Sequence, residues 1–451
     1  MKKTINEIAA WLGIAQTFEE AVVTGVSINT RTLEPGDLFI PFRGENVNGH
    51  KYVAQAFEQG AAAAFWQKDE PNPPQDVPLL FVEDSEEALQ QMARAYRSEH
   101  NATFIAVTGS NGKTSTKDLI AGTLAPYYKV QKTEGNYNNQ LGLPLTLLGL
   151  DEDTQFAVLE MGMDGFHQIE LLTKLAEPHY AVITNIGEAH MEALGSREGI
   201  AKAKFEIVQG LQADGKFFYD GDEPLLRPLV AAENIHAISF GLADTDDLYA
   251  ANITEDEKGS HFDVHGLLED NFFISVLGRH QVKNTLIAIL IAQDIGLTND
   301  QIREALKGVE LTNMRMQLVE GKKDILFIND AYNAAPTSVR AALNFVEHAT
   351  MRSDKWVVLG DMLELGTLER EYHENIADDL NLDAIQHVCL YGPRMEALYN
   401  KIKDQADVLW SAEDYAPIIE HIAQHASADS LVLLKGSRGM ALENILQAFV
   451  K

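Results

Sequence analysis

The stretch TGSNGKTS, Thr108 to Ser115, has the residue types and spacing of a phosphate cradle. Gly109 and Gly112 let backbone N–H groups turn toward an anion, a helix N-terminus adds positive potential, and Lys113 supplies a point charge. The Thr114 hydroxyl is placed for Mg²⁺, and Thr108, Ser110, Asn111 and Ser115 complete the lining. The common pattern G-x-x-x-x-G-K-[ST] requires glycine at 107, where the chain has Val107. The loop is therefore the compact T-G-x-x-G-K-T form. A plain glycine-rich turn is the alternative; it carries less weight because Gly-Lys-Thr stands between a buried strand and a helical pattern.

Two more groups sit where a parallel sheet would aim them at that loop. Glu160 closes the apolar run from Phe156, and His190 lies just past the run from Tyr180 to Thr184. Ligands of open parallel sheets bind beyond the carboxyl ends of the strands, so both residues would project into the nucleotide crevice. A carboxylate suits Mg²⁺ and an imidazole suits it less well. The segment from Asn136 to Gln140 has four amide side chains in five positions, which is poor helix and poor strand chemistry. Its amides can read sugar hydroxyls or phosphates, or form a polar turn closed by Pro144; the residues alone leave the two readings equal. Lys202 and Lys204 fall on a helical pattern, where solvated surface charge is the usual reading.

Positioning these groups requires repeated strand-then-helix units. Apolar runs at 103–107, 156–160 and 180–184, with helical patterns between them, imply a parallel sheet covered on both faces. Before them, Ile5, Ile8, Ala9 and Leu12 mark an amphipathic helix, 37–42 and 79–82 read as strands, and 86–97 reads as a helix. After them come alternating strands over 248–277 and a helix over 281–294. A second α/β unit follows, with strands at 324–328, 355–359 and 431–434 and helices at 338–349 and 369–380. The fold class is α/β in three domains, 1–100, 101–312 and 313–451.

The 451 residues allow about three domains at ~150 residues each. A net charge of −31 argues against nucleic acid or an anionic membrane as the main partner, because phosphates repel such a field. Small anions held in a local basic pocket remain compatible with it. The lone Cys389 fits a reducing compartment. The N-terminus reads as no secretory signal, and the apolar patch 286–292 is too short to span a bilayer, so the expectation is a cytoplasmic protein without membrane insertion.

Several motifs together resemble the Mur ligases, the ATP-dependent amide-forming enzymes of peptidoglycan precursor synthesis. They run from Ser27 to Arg438. TEGNYNNQLGLP, residues 133–144, resembles the loop that such enzymes place beside the muramyl substrate. NDAYNAAPTS, residues 329–338, is similar to D-S-Y-N-A-N-P-x-S, with Ala331 and Ala335 replacing Ser and Asn. Within the family the motifs look most like those of the member that adds D-alanyl-D-alanine to a UDP-N-acetylmuramoyl tripeptide. The rival is the member that adds the third amino acid, whose diaminopimelate-adding form carries a D-N-P-R signature absent here.

The resemblance implies an N-terminal UDP-binding domain, a central P-loop ATPase domain and a C-terminal Rossmann-like ligase domain. It implies ATP and Mg²⁺, with Thr114, Glu160, His190 and a carbamylated Lys204 as metal ligands. Lys204 is chosen over Lys202 by alignment on Ile207 and Val208. Catalysis would rest on Lys113, His190, Lys204 and Arg315, with Arg315 reaching the γ-phosphate. Asn284, Asp330, Tyr332 and Asn333 would contact the nucleotide. Ser27, Thr30, Arg31 and Asn48 would form the uridine-diphosphate pocket, Asn136, Asn138 and Asn139 the muramyl contacts, and Lys435, Ser437 and Arg438 the dipeptide contacts. The implied partners are UDP-MurNAc-tripeptide, D-alanyl-D-alanine and ATP, bound by a monomer without nucleic acid.

Overall fold

The computed structural model describes residues 1–45, 47–188, 191–256 and 258–450, apart from the side chain of Glu192. His190, expected as a metal ligand, lies outside the described residues.

The described residues build three main sheets. The central one holds nine strands, and its core is a parallel stack in the spatial order 236–241, 216–220, 180–183, 103–108, 156–160, 130–132. Phe104, Ile105, Ala106 and Val107 are fully buried, which is why a continuous apolar run rather than an alternating one forms this strand. From Thr103–Thr108 the chain first fills one side of the strand, then crosses to the other with Tyr180–Ile183. Such a reversal opens a crevice at the carboxyl ends of the strands. The sheet continues through Leu248–Asp256 into antiparallel strands at Gly259–Gly266 and Asp270–Ile274. Leu248 and Ala250 are buried at the start of Leu248–Asp256, and from Asn252 onward every second side chain is exposed as the strand leaves the core.

Two apolar clusters sandwich this sheet. Helix Lys113–Leu124, which starts at the glycine loop, packs against Arg279–Asp294 on one face. The latter carries the apolar patch 286–292, buried all round; no helix of the described residues is long and apolar enough to cross a membrane. Helix Ser85–Ser98 packs from the N-terminal region onto helices of the other face. There buried Arg97 donates to the carbonyls of Ala176 (2.7 Å) and Glu177 (2.6 Å), tying the two regions together.

The N-terminal sheet is four parallel strands, Gly25–Ser27, Asp37–Phe39, Ala63–Gln67 and Leu79–Val82. The strand expected over 37–42 stops at Phe39, two residues before Pro41, which has no N–H to donate. The C-terminal sheet has the order 317–320, 326–329, 430–435, 354–360, 387–391, 407–411, all parallel but the first. Its two faces are covered by separate clusters, the arrangement of a doubly wound sheet.

Candidate active site

The glycine loop is held open by its neighbours. Gly109 adopts φ +152° and a β-carbon there would collide with the Thr184 hydroxyl. Gly112, the N-cap of helix Lys113–Leu124, adopts φ +80°, and a β-carbon would lie 2.9 Å from Asn284 Nδ2. Asn284 therefore sits directly against the loop. The Lys113 amine donates to the Gly109 carbonyl (2.8 Å), closing the loop on itself. The loop is braced from below. Asn185 accepts from the Ser110 N–H (3.1 Å) through its carbonyl and from the Asn111 N–H (3.0 Å) through Oδ1. Ser110 Oγ and Asn111 Nδ2 are buried without a hydrogen-bond partner among the described residues. Such orphaned groups call for a ligand. Thr108 is different: its hydroxyl is buried and donates to the Met161 carbonyl (2.8 Å), which makes it part of the frame. Ser115, also buried, accepts from Gln281 Nε2 (3.3 Å).

Glu160 is the hub of the site. It stands at the carboxyl end of Phe156–Glu160, paired with Val107 of the adjacent strand. Its Oε2 accepts from the Thr114 hydroxyl (2.9 Å) and its Oε1 from Asn138 Nδ2 (2.9 Å). Arg315 approaches from the C-terminal side, with Nη2 3.4 Å from Thr114 Oγ1. Its guanidinium lies 4.2 Å over the Tyr332 ring, a cation–π contact that fixes its plane. Met314 and Met316, on either side of it, have positive φ angles of 64° and 51°. Strained backbone of that kind persists only where the surroundings hold it.

Two amines share the crevice. Loss of water lowers the pKa of Lys113, which Glu160 opposes and Arg315 reinforces. Lys204 is buried and its pKa falls well below the ordinary lysine value, by desolvation first and the Lys113 charge second. Lys202, two residues away, is exposed. Thr114 and Glu160 offer hard oxygen ligands beside the orphaned loop groups, a donor set that suits Mg²⁺.

The C-terminal residues form a second knot. Buried Lys435 donates to Asp330 Oδ2 (2.6 Å) and to the Asn333 carbonyl (3.0 Å), while Asp330 Oδ1 accepts from the Met316 N–H (3.3 Å). Lys435 thus faces Asp330. Ser437 accepts from the Leu363 N–H (2.9 Å), and Arg438 pairs with Glu443 at the surface (2.5 Å). His280 lies in the same field. Desolvation, with Lys435 and Arg315 against Asp330, pushes its pKa down to about 4.

In the N-terminal region Thr30 and Arg31 line a cleft of about 530 Å³ with Phe39, Phe42 and Tyr52. Ser27 donates to the Asn29 carbonyl (3.0 Å) and Asn29 Oδ1 accepts from the Arg31 N–H (3.0 Å), which shapes the loop. Ile28 and Asn29 also line a second cleft of about 450 Å³ that reaches Lys132, Glu134 and Tyr137. The two form a track from Arg31 toward the amide loop. Asn48 is off this track: its Nδ2 binds Glu70 (3.0 Å) and its Oδ1 caps the His50 N–H (3.0 Å). Asn139 Oδ1 accepts from the Leu141 (3.2 Å) and Gly142 (2.9 Å) N–H groups, which shapes the turn into helix Gly142–Leu148. Asn136 is exposed, and Asn138 is the member of the loop that reaches Glu160.

Sequence reasoning passed over two networks. Asp118, fully buried, accepts from Lys132 Nζ (2.6 Å) and from the Thr312 N–H (2.8 Å) and hydroxyl (2.7 Å), clamping the loop helix to the segment before Arg315. Lys283, beside Asn284, donates to both oxygens of Asp220 (2.8 Å each). Burial raises the Asp220 pKa to about 6 against the pull of Lys283. The visible signal was the acidic pair Asp220 and Asp222 at a strand end.

Three family models match the chain in its own order: the Mur ligase catalytic domain over residues 22–97, the Mur ligase middle domain over 107–292 and the Mur ligase glutamate ligase domain over 314–438. The chain belongs to the Mur ligase family. This Mur ligase is 42% identical over its whole length, and 99% of the relative's, to the UDP-N-acetylmuramoyl-tripeptide–D-alanyl-D-alanine ligase of Bacillus subtilis. Among solved structures, MurF from Acinetobacter baumannii superposes with a TM-score of 0.89 at 27% identity, covering 99% of this chain and 98% of that one. MurF from Thermotoga maritima, solved in complex with ADP, gives a TM-score of 0.85 at 26% identity over 94% and 96% of the two chains. The three-domain α/β architecture of this Mur ligase is the one those structures share.

Proposed function

We propose that this Mur ligase joins D-alanyl-D-alanine to UDP-N-acetylmuramoyl-tripeptide at the cost of ATP, in the cytoplasm, as a step of peptidoglycan precursor synthesis. The observation that carries the reading is the Asn138–Glu160–Thr114–Arg315 line, which joins the amide loop, the phosphate loop and the C-terminal unit at one point. The full-length likeness to a ligase of that name supports the choice of substrates over addition of the third amino acid.

A carboxylate is a poor electrophile, so the terminal carboxylate of the tripeptide first attacks the γ-phosphate of ATP, giving an acyl phosphate and ADP. The D-alanyl-D-alanine amine then attacks the acyl carbon, loses its proton, and inorganic phosphate leaves. Lys113 and the loop N–H groups bind the phosphates, and Arg315 meets the charge that develops on the transferring group. Asn284, Asp330, Tyr332 and Asn333 orient the nucleotide. Thr30, Arg31 and the cleft beside them take the uridine diphosphate, and Ser437 and Arg438 border the dipeptide. Thr114 and Glu160, with His190 and a carbamylated Lys204, would hold Mg²⁺, which neutralises phosphate oxygens when bound. Closure of three units on one crevice keeps water from the acyl phosphate.

The test is phosphate release from MgATP with product mass recorded. Release that requires both UDP-MurNAc-tripeptide and D-alanyl-D-alanine, with a UDP-MurNAc-pentapeptide product, is expected. Release with UDP-MurNAc-dipeptide and a single amino acid instead would transfer the assignment to the rival ligase.

A further inference from the structure

At the amino ends of the C-terminal strands, the end opposite the crevice, three side chains converge from three elements. His387 opens strand His387–Tyr391, Asp407 opens Asp407–Ser411 at the same register, and His421 comes from helix Ala416–His425. One ligand atom from each lies within 4.8 Å of the others. His387 Nδ1 is 2.7 Å from Asp407 Oδ2, and His421 Nε2 is 3.3 Å from the same oxygen.

The surroundings of His387 set this cluster apart from a chance surface trio. Its other nitrogen, Nε2, faces Asp354 Oδ1 at 3.3 Å. Asp354 is itself pinned, because its Oδ2 accepts from Trp356 Nε1 (2.7 Å) and from the Ser430 hydroxyl. The imidazole is stacked on buried Trp356 with ring centroids 3.8 Å apart. A carboxylate behind one nitrogen and a ring held in plane is how metal-binding histidines are oriented. Each ring nitrogen of His387 thus faces a carboxylate, Nε2 toward Asp354 and Nδ1 toward Asp407, so the cluster gathers acceptor oxygens around two imidazoles.

We propose that His387, Asp407 and His421 form a site for a divalent transition metal of the zinc class, with Asp354 orienting His387. Two neutral imidazoles and one carboxylate suit Zn²⁺ more than Mg²⁺. One divalent charge also balances Asp354 and Asp407 together. Tetrahedral zinc with bonds of about 2.0–2.2 Å needs ligand atoms about 3.3 Å apart, so the His387–Asp407 pair opens by roughly half an ångström and the His421–Asp407 pair fits as it stands. The ion would staple the edge strand Asp407–Ser411 and helix Ala416–His425 to the rest of the sheet.

The test uses the full chain, stripped with EDTA and dialysed, then titrated with Zn²⁺ by calorimetry and with Co²⁺ by visible absorption. One equivalent of tight binding, a tetrahedral Co²⁺ spectrum and a raised Tm are expected. His421→Ala removes them, Asp354→Asn weakens Zn²⁺ binding by about 10–100-fold, and Glu160→Gln in the crevice leaves them intact. Circular dichroism and unchanged MgATP-dependent turnover verify that His421→Ala is folded. No stoichiometric uptake, or uptake that His421→Ala does not diminish, overturns the proposal.

Discussion

Lys202 and Lys204 lie two positions apart on one helix, Arg197–Phe205, and their amines live in different media. Lys204 is buried beside another cation and its pKa falls well below the lysine norm, whereas Lys202 is exposed. A neutral amine attacks CO₂ and an ammonium does not, so the buried lysine is the one equipped to form a carbamate. On the proposed carbamate at Lys204, ¹³C-bicarbonate is expected to give a carbamate signal in the wild type that Lys204→Arg removes together with turnover, while Lys202→Arg changes neither. Lys113 answers a different question. On its proposed role at the phosphates, Lys113→Ala is expected to lower kcat by about 10²–10³ with little change in Tm. His280 tests the seam by pH. Its folded pKa of about 4 lies below the unfolded histidine value, so the unfolded chain takes up a proton that the folded one refuses. The stability penalty is absent above the unfolded pKa and grows as pH drops through the interval down to about 4. His280→Gln is expected to flatten the fall of Tm across that window.

Elements transmit what residues do. The Asp118 clamp ties helix Lys113–Leu124 to Thr312, three residues before Arg315, and Lys132 ties it to the strand that leads into the amide loop. Removing one partner of a buried ion pair costs about 3–5 kcal/mol, so Asp118→Ala is expected to lower unfolding free energy by that order. It should also lower kcat, since Arg315 loses its anchor; Asp118→Asn, which retains an acceptor, should lose less of both. This clamp was invisible in the sequence because Lys117 and Asp118 look like ordinary helix surface charges, and Thr312 is 194 positions away. The strand at 103–108 was legible for the opposite reason, since its signal is local and apolar. Ala63–Gln67 was not legible, because a run of alanines favours no particular element until neighbouring strands bury it. Among the amides, Asn48 and Asn139 cap local turns with the same chemistry that would bind a sugar. Asn138 differs from them in reaching Glu160 beside the glycine loop, a tertiary contact that composition cannot encode.

The whole molecule poses an electrostatic question, because a chain of net charge −31 handles a nucleotide triphosphate and a uridine diphosphate. Many of its cations pair with surface carboxylates, but Lys113 and Arg315 are drawn into one crevice, and Lys435 lies just behind it. Surface carboxylates repel one another over distances that salt can screen, while a phosphate a few ångströms from Lys113 in a dry crevice is screened much less. Raising NaCl from about 10 mM to about 150 mM shortens the Debye length from about 30 Å to about 8 Å. Two outcomes are expected together in that titration: Tm rises, because self-repulsion weakens, and the KM for ATP at saturating Mg²⁺ stays within about twofold, because the contacts that hold it are short and buried. A KM that climbs steeply with salt would mean that ATP is held by long-range attraction to exposed cations, and the assignment of its phosphates to the Lys113 crevice would then fail.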